Sequence, residues 1–335
     1  MKIMKIIIST FFILMSIFFI PAVVTHAKGL NPAPIPTDIF GLPNDTINEV
    51  VLVAGSLVSV LGQTGSSPVG LVLDTIGNVY TVNIGNNTVT KITPTGVSTT
   101  FAVVGSQPSS IAVDAYNNLY TANSGSNSVS KITPSGVVST YGYTGLSPLD
   151  ITVDNNGVVY TVNKNSNNIT KITQSGVSYT FGVTGNNPSE IVVDSFGNIF
   201  TADRGSHTIT KITPMGVSTT FATFPMWGVE GIAIDASNTL YVTNGGYSSV
   251  TKIQPNGIST LLGSTGVAPS SIAVTSLGSV YVGNLGDSSI TKMSSLGNSI
   301  VYGATNPFPD DLVVDASGVL YIVNSDYDTV TKIDP

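Results

Sequence analysis

A seven-bladed β-propeller of four-stranded blades is the fold this sequence predicts, on three observations. A block of about 40 residues recurs seven times. Each copy holds four short β-type runs, and the two ends of the repeat region carry complementary parts of one copy.

The recurrence is carried by landmarks. An Asp closes the first apolar run at Asp74, Asp114, Asp154, Asp194, Asp235 and Asp315, with Thr275 in its place once. An aromatic follows at Tyr80, Tyr120, Tyr160, Phe200, Tyr241, Tyr281 and Tyr321. A Lys follows at Lys91, Lys131, Lys171, Lys211, Lys252, Lys292 and Lys332. The spacing is 40, with a single 41 between the fourth and fifth copies.

Within a copy the runs predict strand a at Ile111–Asp114, strand b at Leu119–Asn123, strand c at Ser128–Thr133 and strand d at Val137–Tyr141. No stretch of the repeat region has a helical period, and β-branched residues and Tyr crowd the runs. Three residues past the landmark Asp stands Gly or Asn in every copy, the two residue types that most readily take a positive φ. That predicts a tight a–b turn with the Asp side chain placed to cap it. The c–d turn, as in Thr93-Pro94-Thr95-Gly96, suits a type I turn.

The last copy stops after strand c, at Lys332-Ile333-Asp334-Pro335. An orphan strand d, Leu57–Gly62, precedes the first copy and aligns with Val137–Gly142. It is expected to complete the last blade and close the ring. The apolar run Thr46–Val53 has no assigned place.

Ahead of the propeller (46–335) lie two other segments. Residues 1–27 read as a signal peptide: Lys2 and Lys5, then an apolar run from Ile6 to Val24, then small residues ending at Ala27. Cleavage there predicts an exported, extracellular protein; an uncleaved segment would instead be a membrane anchor. Residues 28–45, with Pro32, Pro34, Pro36 and Pro43, read as an extended entry segment.

Composition excludes several functions. Hydrophobic residues make up 41% of the chain, ample for a core, while charged residues make up 9% against about 25% ordinarily. Losing Lys2 and Lys5 takes the net charge from −7 to −9, and with no basic patch nucleic-acid binding is not expected. With no Cys there are no disulfides, thiolate metal sites or Cys nucleophiles. No phosphate-binding loop, nucleophile elbow or paired metal-binding His is present. The mature chain is expected to span no membrane and to be a monomer.

The pattern P-x-x-I-x-V-D-x-x-G-N-x-Y-x-x-N…I-x-K-I-T-P-x-G-V-x-T-x-F resembles the NHL-repeat propellers. Its I-T-P-x-G element is closest to the streptogramin B (virginiamycin B) lyase group, over residues 57–335. That superfamily holds lyases, lactonases and binding scaffolds. The resemblance to the lyases implies a general-base His, acidic partners and a divalent metal at the central mouth. The mature chain has one His for that role, His207. Tyr and Asn stand where Trp and Glu often end strand b in that group.

Residues that recur in every copy read as structural: the aromatic column as core, the Lys as paired with the landmark Asp at one rim, and the Asn ending strand b as a turn residue. Residues that break the repeat are the site candidates. Chain direction puts the d–a and b–c loops on one face, where Asp150, Glu190, Asp203, Glu230, Asp310 and Asp311 gather. Asp203 stands where six copies have Asn, with Arg204 beside it; Trp227, the sole Trp, lies near the one-residue insertion. Asp150, Glu190, Asp203 and Glu230 at a channel mouth are an oxygen ligand set for Ca²⁺ or Mg²⁺, or simply a solvated acidic rim. No cofactor is required on this reading. The function expected is a binding or scaffold module for an extracellular protein, glycan or small molecule, with a metal-assisted lyase or lactonase as the alternative.

Overall fold

The computed structural model describes residues 51–53, 56–225, 228–305 and 308–335. The signal-peptide and entry-segment expectations, and Trp227, lie outside them. The described residues form seven antiparallel sheets, six of four strands and one of five. In the second copy the strands are Pro108–Val113, Leu119–Asn123, Ser128–Ile132 and Val138–Tyr143, and they pair in sequence order. Strand a therefore starts three residues earlier than the apolar pattern indicates. A bulge between Pro108 and Ser110 admits the polar entry residues to the ladder. A second bulge, between Thr140 and Gly142, sets Tyr141 apart in strand d.

The turns follow the sequence chemistry. Gly77 has φ +83° and Asn117 has φ +61°. Asp74 Oδ1 accepts the amides of Ile76 and Asn78, at 3.1 and 2.8 Å. At the c–d turn Gly96 has φ +85°, and its amide donates to the Thr93 carbonyl at 2.9 Å.

The inner strands of successive blades touch one another around an unbroken ring of seven, the seventh meeting the first. Ser56–Gln63 pairs antiparallel with Thr329–Asp334, so the N-terminal strand completes the C-terminal blade. Val51–Val53 adds a fifth strand outside it, which places the end of the unassigned run.

The core lies between blades. Tyr80, Val82 and Val89 of the first blade pack on Ile111, Leu119 and Ile132 of the second. Leu71, Val79 and Ile92 pack on Tyr321, Val323 and Val330 of the last. Each of the seven blade interfaces carries one such cluster.

The repeated Lys does not pair with the landmark Asp. Tyr80 and Lys91 are direct cross-strand neighbours, and Lys91 Nζ lies 5.7 Å from the Tyr80 ring and 5.8 Å from the Phe101 ring. The first six blades repeat this Lys-on-ring contact. In the last blade Leu61 stands in strand d, and Lys332 turns to Asp334 at 2.8 Å. The Asp meanwhile is saturated by its turn. Asp74 Oδ2 accepts from the Asn78 side chain at 2.7 Å and the Tyr80 hydroxyl at 3.2 Å. Burial first, then the Asp74 charge, pushes the Tyr80 hydroxyl up to about 12.

Deleting residues 46–62 uncovers the edge of Thr329–Asp334 and removes Val58 and Leu61 from two interface clusters. Soluble monomer on size exclusion is expected to fall sharply; melting identical to the parent would overturn the closure.

Candidate functional site

The d–a/b–c face holds the channel mouth. Seven inner strands reach it, and the residue at the entry of each, just past a bulge in six of them, decides its lining. These positions are Gly70, Ser110, Asp150, Glu190, Gly231, Ser271 and Asp311. Of these, Gly70, Ser110, Asp150, Glu190 and Asp311 border a cavity of about 320 Å³, together with Arg204 and Asp310. At the a–b turn ends of the inner strands a further cavity is walled by Val72, Val113, Val313 and Val314 together with the landmark residues Asp74 and Asp315.

Three of the carboxylates tie one blade to the next. Asp150 Oδ2 accepts the Ile191 amide at 2.9 Å, and its Oδ1 accepts the Ser110 hydroxyl at 2.6 Å and the Ile151 amide at 2.8 Å. Glu190 Oε2 accepts the Ile232 amide at 2.8 Å. Asp311 Oδ2 accepts the Leu71 amide at 3.1 Å, joining the last blade to the first. Ser271 donates to the Pro309 carbonyl at 3.3 Å. Gly231 has no room for any side chain, because a Cβ there would run into the Ser270 carbonyl.

Burial raises these carboxyls. Asp311 is pushed up to about 7 by desolvation, against the amides of Leu71 and Leu312 and aided by Asp150 and Asp310. Glu190 is raised well above its ordinary value, by desolvation first and the Asp150 charge second. Desolvation raises Asp150 too, while the Ser110, Ile191 and Ile151 bonds pull it down.

Asp310 and Arg204 border the same cavity, and Asp203 and Glu230 lie outside it. Asp203 is fully buried inside its own blade. In the first blade Asn83 Nδ2 donates to the hydroxyls of Thr88 and Thr90, at 3.0 Å each. Asp203 has no donor, so those two hydroxyls reverse: Thr210 donates to it at 2.6 Å and Thr208 at 3.2 Å, while Thr201 donates at 2.8 Å as Thr81 does to Asn83. Thr hydroxyls serve either polarity, which lets an Asp stand for an Asn at no cost in partners. Glu230 Oε2 pairs with Arg204 Nη2 at 2.7 Å. Asp310 accepts the Ser325 amide at 3.1 Å, at the b–c turn of its own blade.

The structure therefore brings Asp150, Glu190 and Asp311 around the mouth and withdraws Asp203. Among the described residues no three His, Asp or Glu side chains stand close enough together to hold an ion. The four carboxylates expected as ligands are not drawn into one such group.

His207 has φ +57° and occupies the b–c turn position of Asn87, Asn127 and Asn167. Those Asn side chains accept amides twenty residues on, Asn87 from Gln107 at 2.7 Å for example. The imidazole thus stands at a loop-linking position of its blade.

A second cavity, of about 400 Å³, opens on the same face between the fifth and sixth blades, walled by Arg204, Glu230, Gly245, Ala268, Pro269 and Leu285. Sequence reasoning missed its apolar wall. The signal was present: Gly245 follows strand b, where other copies have Ile84, Ser124, Lys164 and Arg204.

No family model matches the chain, and no curated protein matches it in sequence. Solved structures do. The chain is similar to virginiamycin B lyase from Staphylococcus aureus, at 18% identity and a TM-score of 0.75 over 84% of this chain and 99% of that one. It is similar to a streptogramin B lyase at 16% identity and TM-score 0.77, over 83% and 97% of the two chains. A gluconolactonase from Xanthomonas campestris matches at 14% identity and TM-score 0.57, over 87% and 96%. The chain shares the closed seven-bladed fold of the streptogramin-lyase-like propellers.

Two predictions follow from the mouth. Asp150 uses both oxygens as acceptors, so Asp150→Asn turns an amide NH₂ toward a donor and is expected to destabilise by about 1–3 kcal/mol. Glu190 uses one oxygen on Ile232, so Glu190→Gln keeps that bond and is expected to melt at or above the parent at neutral pH. Equal losses in the two variants, in denaturant titrations, would overturn the assignment.

The second concerns pH. A carboxyl raised in the folded state holds its proton where the unfolded chain has lost it. Its contribution to stability is full below the unfolded value of 3.8 and is lost as pH rises through about 7 for Asp311. The melting temperature is expected to fall between about pH 4 and pH 7, less steeply in Glu190→Gln. A profile that rises over that range would exclude the raised carboxyls.

Proposed function

We propose that the protein is an exported, non-catalytic binding propeller that meets its ligand or partner on the d–a/b–c face. The observation that carries this reading is the distribution of free chemistry. On that face the repeat is broken, and an ion pair, Arg204–Glu230, stands partly exposed with side-chain exposures of 43% and 29%. Both residues border a cavity there. On the other face the repeated Asp and Lys are used within each blade. Loops on a rigid scaffold are where binding residues vary freely.

The mouth carboxylates support the same reading, since their oxygens are used on backbone amides. The apolar N-terminus supports export. Among the described residues no helix is long and apolar enough to cross a membrane.

The structural neighbours favour a second reading, a metal-assisted lyase or lactonase. One of them is a catalytically inactive His-to-Ala variant of the Staphylococcus aureus lyase with quinupristin, 19% identical at TM-score 0.76 over 84% of this chain and 99% of that one. In this chain the role would fall to His207. The test is turnover of quinupristin and of gluconolactone with Mg²⁺ or Ca²⁺, for the parent and His207→Ala. Rates equal to buffer are expected for both. Parent turnover that drops about 10²–10⁴-fold in the variant would establish the enzyme instead.

A further inference from the structure

The cavity between the fifth and sixth blades has a chemistry of its own. Its volume of about 400 Å³ falls within the roughly 300–1,000 Å³ of small-molecule sites. It exists because the fifth blade departs from the repeat. That blade carries the one-residue insertion, and its inner strand is cut to Ile232–Ile234. Its b–c turn is a 3-10 turn, Gly245–Tyr247.

Gly245 is what admits the acid. A Cβ there would lie 2.8 Å from Glu230 Cγ, so any side chain at 245 displaces the Glu230 stem. With Gly in place the stem lies against the turn, and the carboxylate meets Arg204 at 2.7 Å. The rest of the lining is mostly apolar: Ala268, Pro269 and Leu285, with Ser270 and Gly246.

An opposite-charge pair on one wall of an apolar pocket selects its ligand by elimination. A simple anion is drawn by Arg204 and repelled by Glu230, and a simple cation the reverse. An aliphatic body alone leaves the pair without a complement. A ligand with a carboxylate and an ammonium on one carbon satisfies both. Among the described residues the guanidinium has one partner and five N–H donors, so it retains donors for a carboxylate. An apolar side chain on the same carbon then lies against Leu285 and Pro269.

We infer that this pocket binds free α-amino acids with apolar side chains, the Arg204 guanidinium taking the carboxylate, Glu230 the ammonium, and the Ala268–Pro269–Leu285 wall the side chain. The inference rests on the reading of this face as the binding face and names its ligand class.

The experiment is isothermal titration of the mature protein with L-leucine. Saturable binding is expected, with N-acetyl-L-leucine, which lacks the ammonium, and L-leucine amide, which lacks the carboxylate, each at least about tenfold weaker. Arg204→Gln and Glu230→Gln are expected to lose L-leucine while melting with the parent. Should either fail to fold, Ala268→Met, which fills the apolar side and leaves the ion pair intact, is expected to abolish binding alone. No saturable L-leucine signal, or full affinity retained in Ala268→Met, would overturn the pocket. Neither outcome touches the wider reading, which fails only on the turnover that His207→Ala abolishes.

Discussion

No blade of this protein can stand alone, and the structure depends on that constraint. A four-stranded sheet has two apolar faces here, and its inner strands are buried on both. Strand b is buried at every position, as in Val79–Asn83. Those faces leave water only against the next blade, so the hydrophobic clusters lie at the seven interfaces and none within a single sheet. A ring of such interfaces stabilises itself fully only when the last one forms. Completion of the final blade by Ser56–Gln63 turns that requirement into a sheet of backbone hydrogen bonds. The outer strand Val51–Val53 then covers the edge that closure leaves.

The mouth carboxylates belong to the same economy of interfaces. Apolar packing holds neighbouring blades face to face but fixes their sliding poorly, because it is non-directional. Asp150, Glu190 and Asp311 add directional bonds from one inner strand to the amide of the next. The cost is desolvation of charge, seen in the raised carboxyl of Asp311. Asp203 meets the same cost differently, by collecting three hydroxyl donors. Charge inside this propeller is tolerated where donors converge.

The repeated Lys shows how cross-strand geometry outweighs nominal charge pairing. Lys and the landmark Asp share a rim, and opposite charge suggests a pair. Yet Tyr80 faces Lys91 directly across the ladder, with Phe101 beside it, while four donors of the turn already occupy Asp74. A partly exposed ion pair contributes about 0–1 kcal/mol, and a cation over two rings offers a comparable gain while covering apolar surface.

The blade count, the turn types and the closing strand were legible in the sequence, because each is set by local chemistry repeated at a fixed period. Gly or Asn three residues past an Asp specifies its turn without reference to the rest of the chain. The missing last strand and the orphan first strand specify closure by counting alone. The site was legible only as positions. The period could place Asp150, Glu190 and Asp311 on one face. It could not show that their oxygens meet the amides of Ile191, Ile232 and Leu71, partners 41, 42 and 240 residues away. Nor could it distinguish Asp203 inside its blade from Glu230 at the surface, since both break the repeat. The pocket between the fifth and sixth blades arises only in three dimensions, where the Gly245 turn of one blade meets the Ala268–Ser270 entry of the next. Sequence period determines which residues are equivalent; side-chain direction across an interface is decided by packing, and packing exists only once the ring has closed.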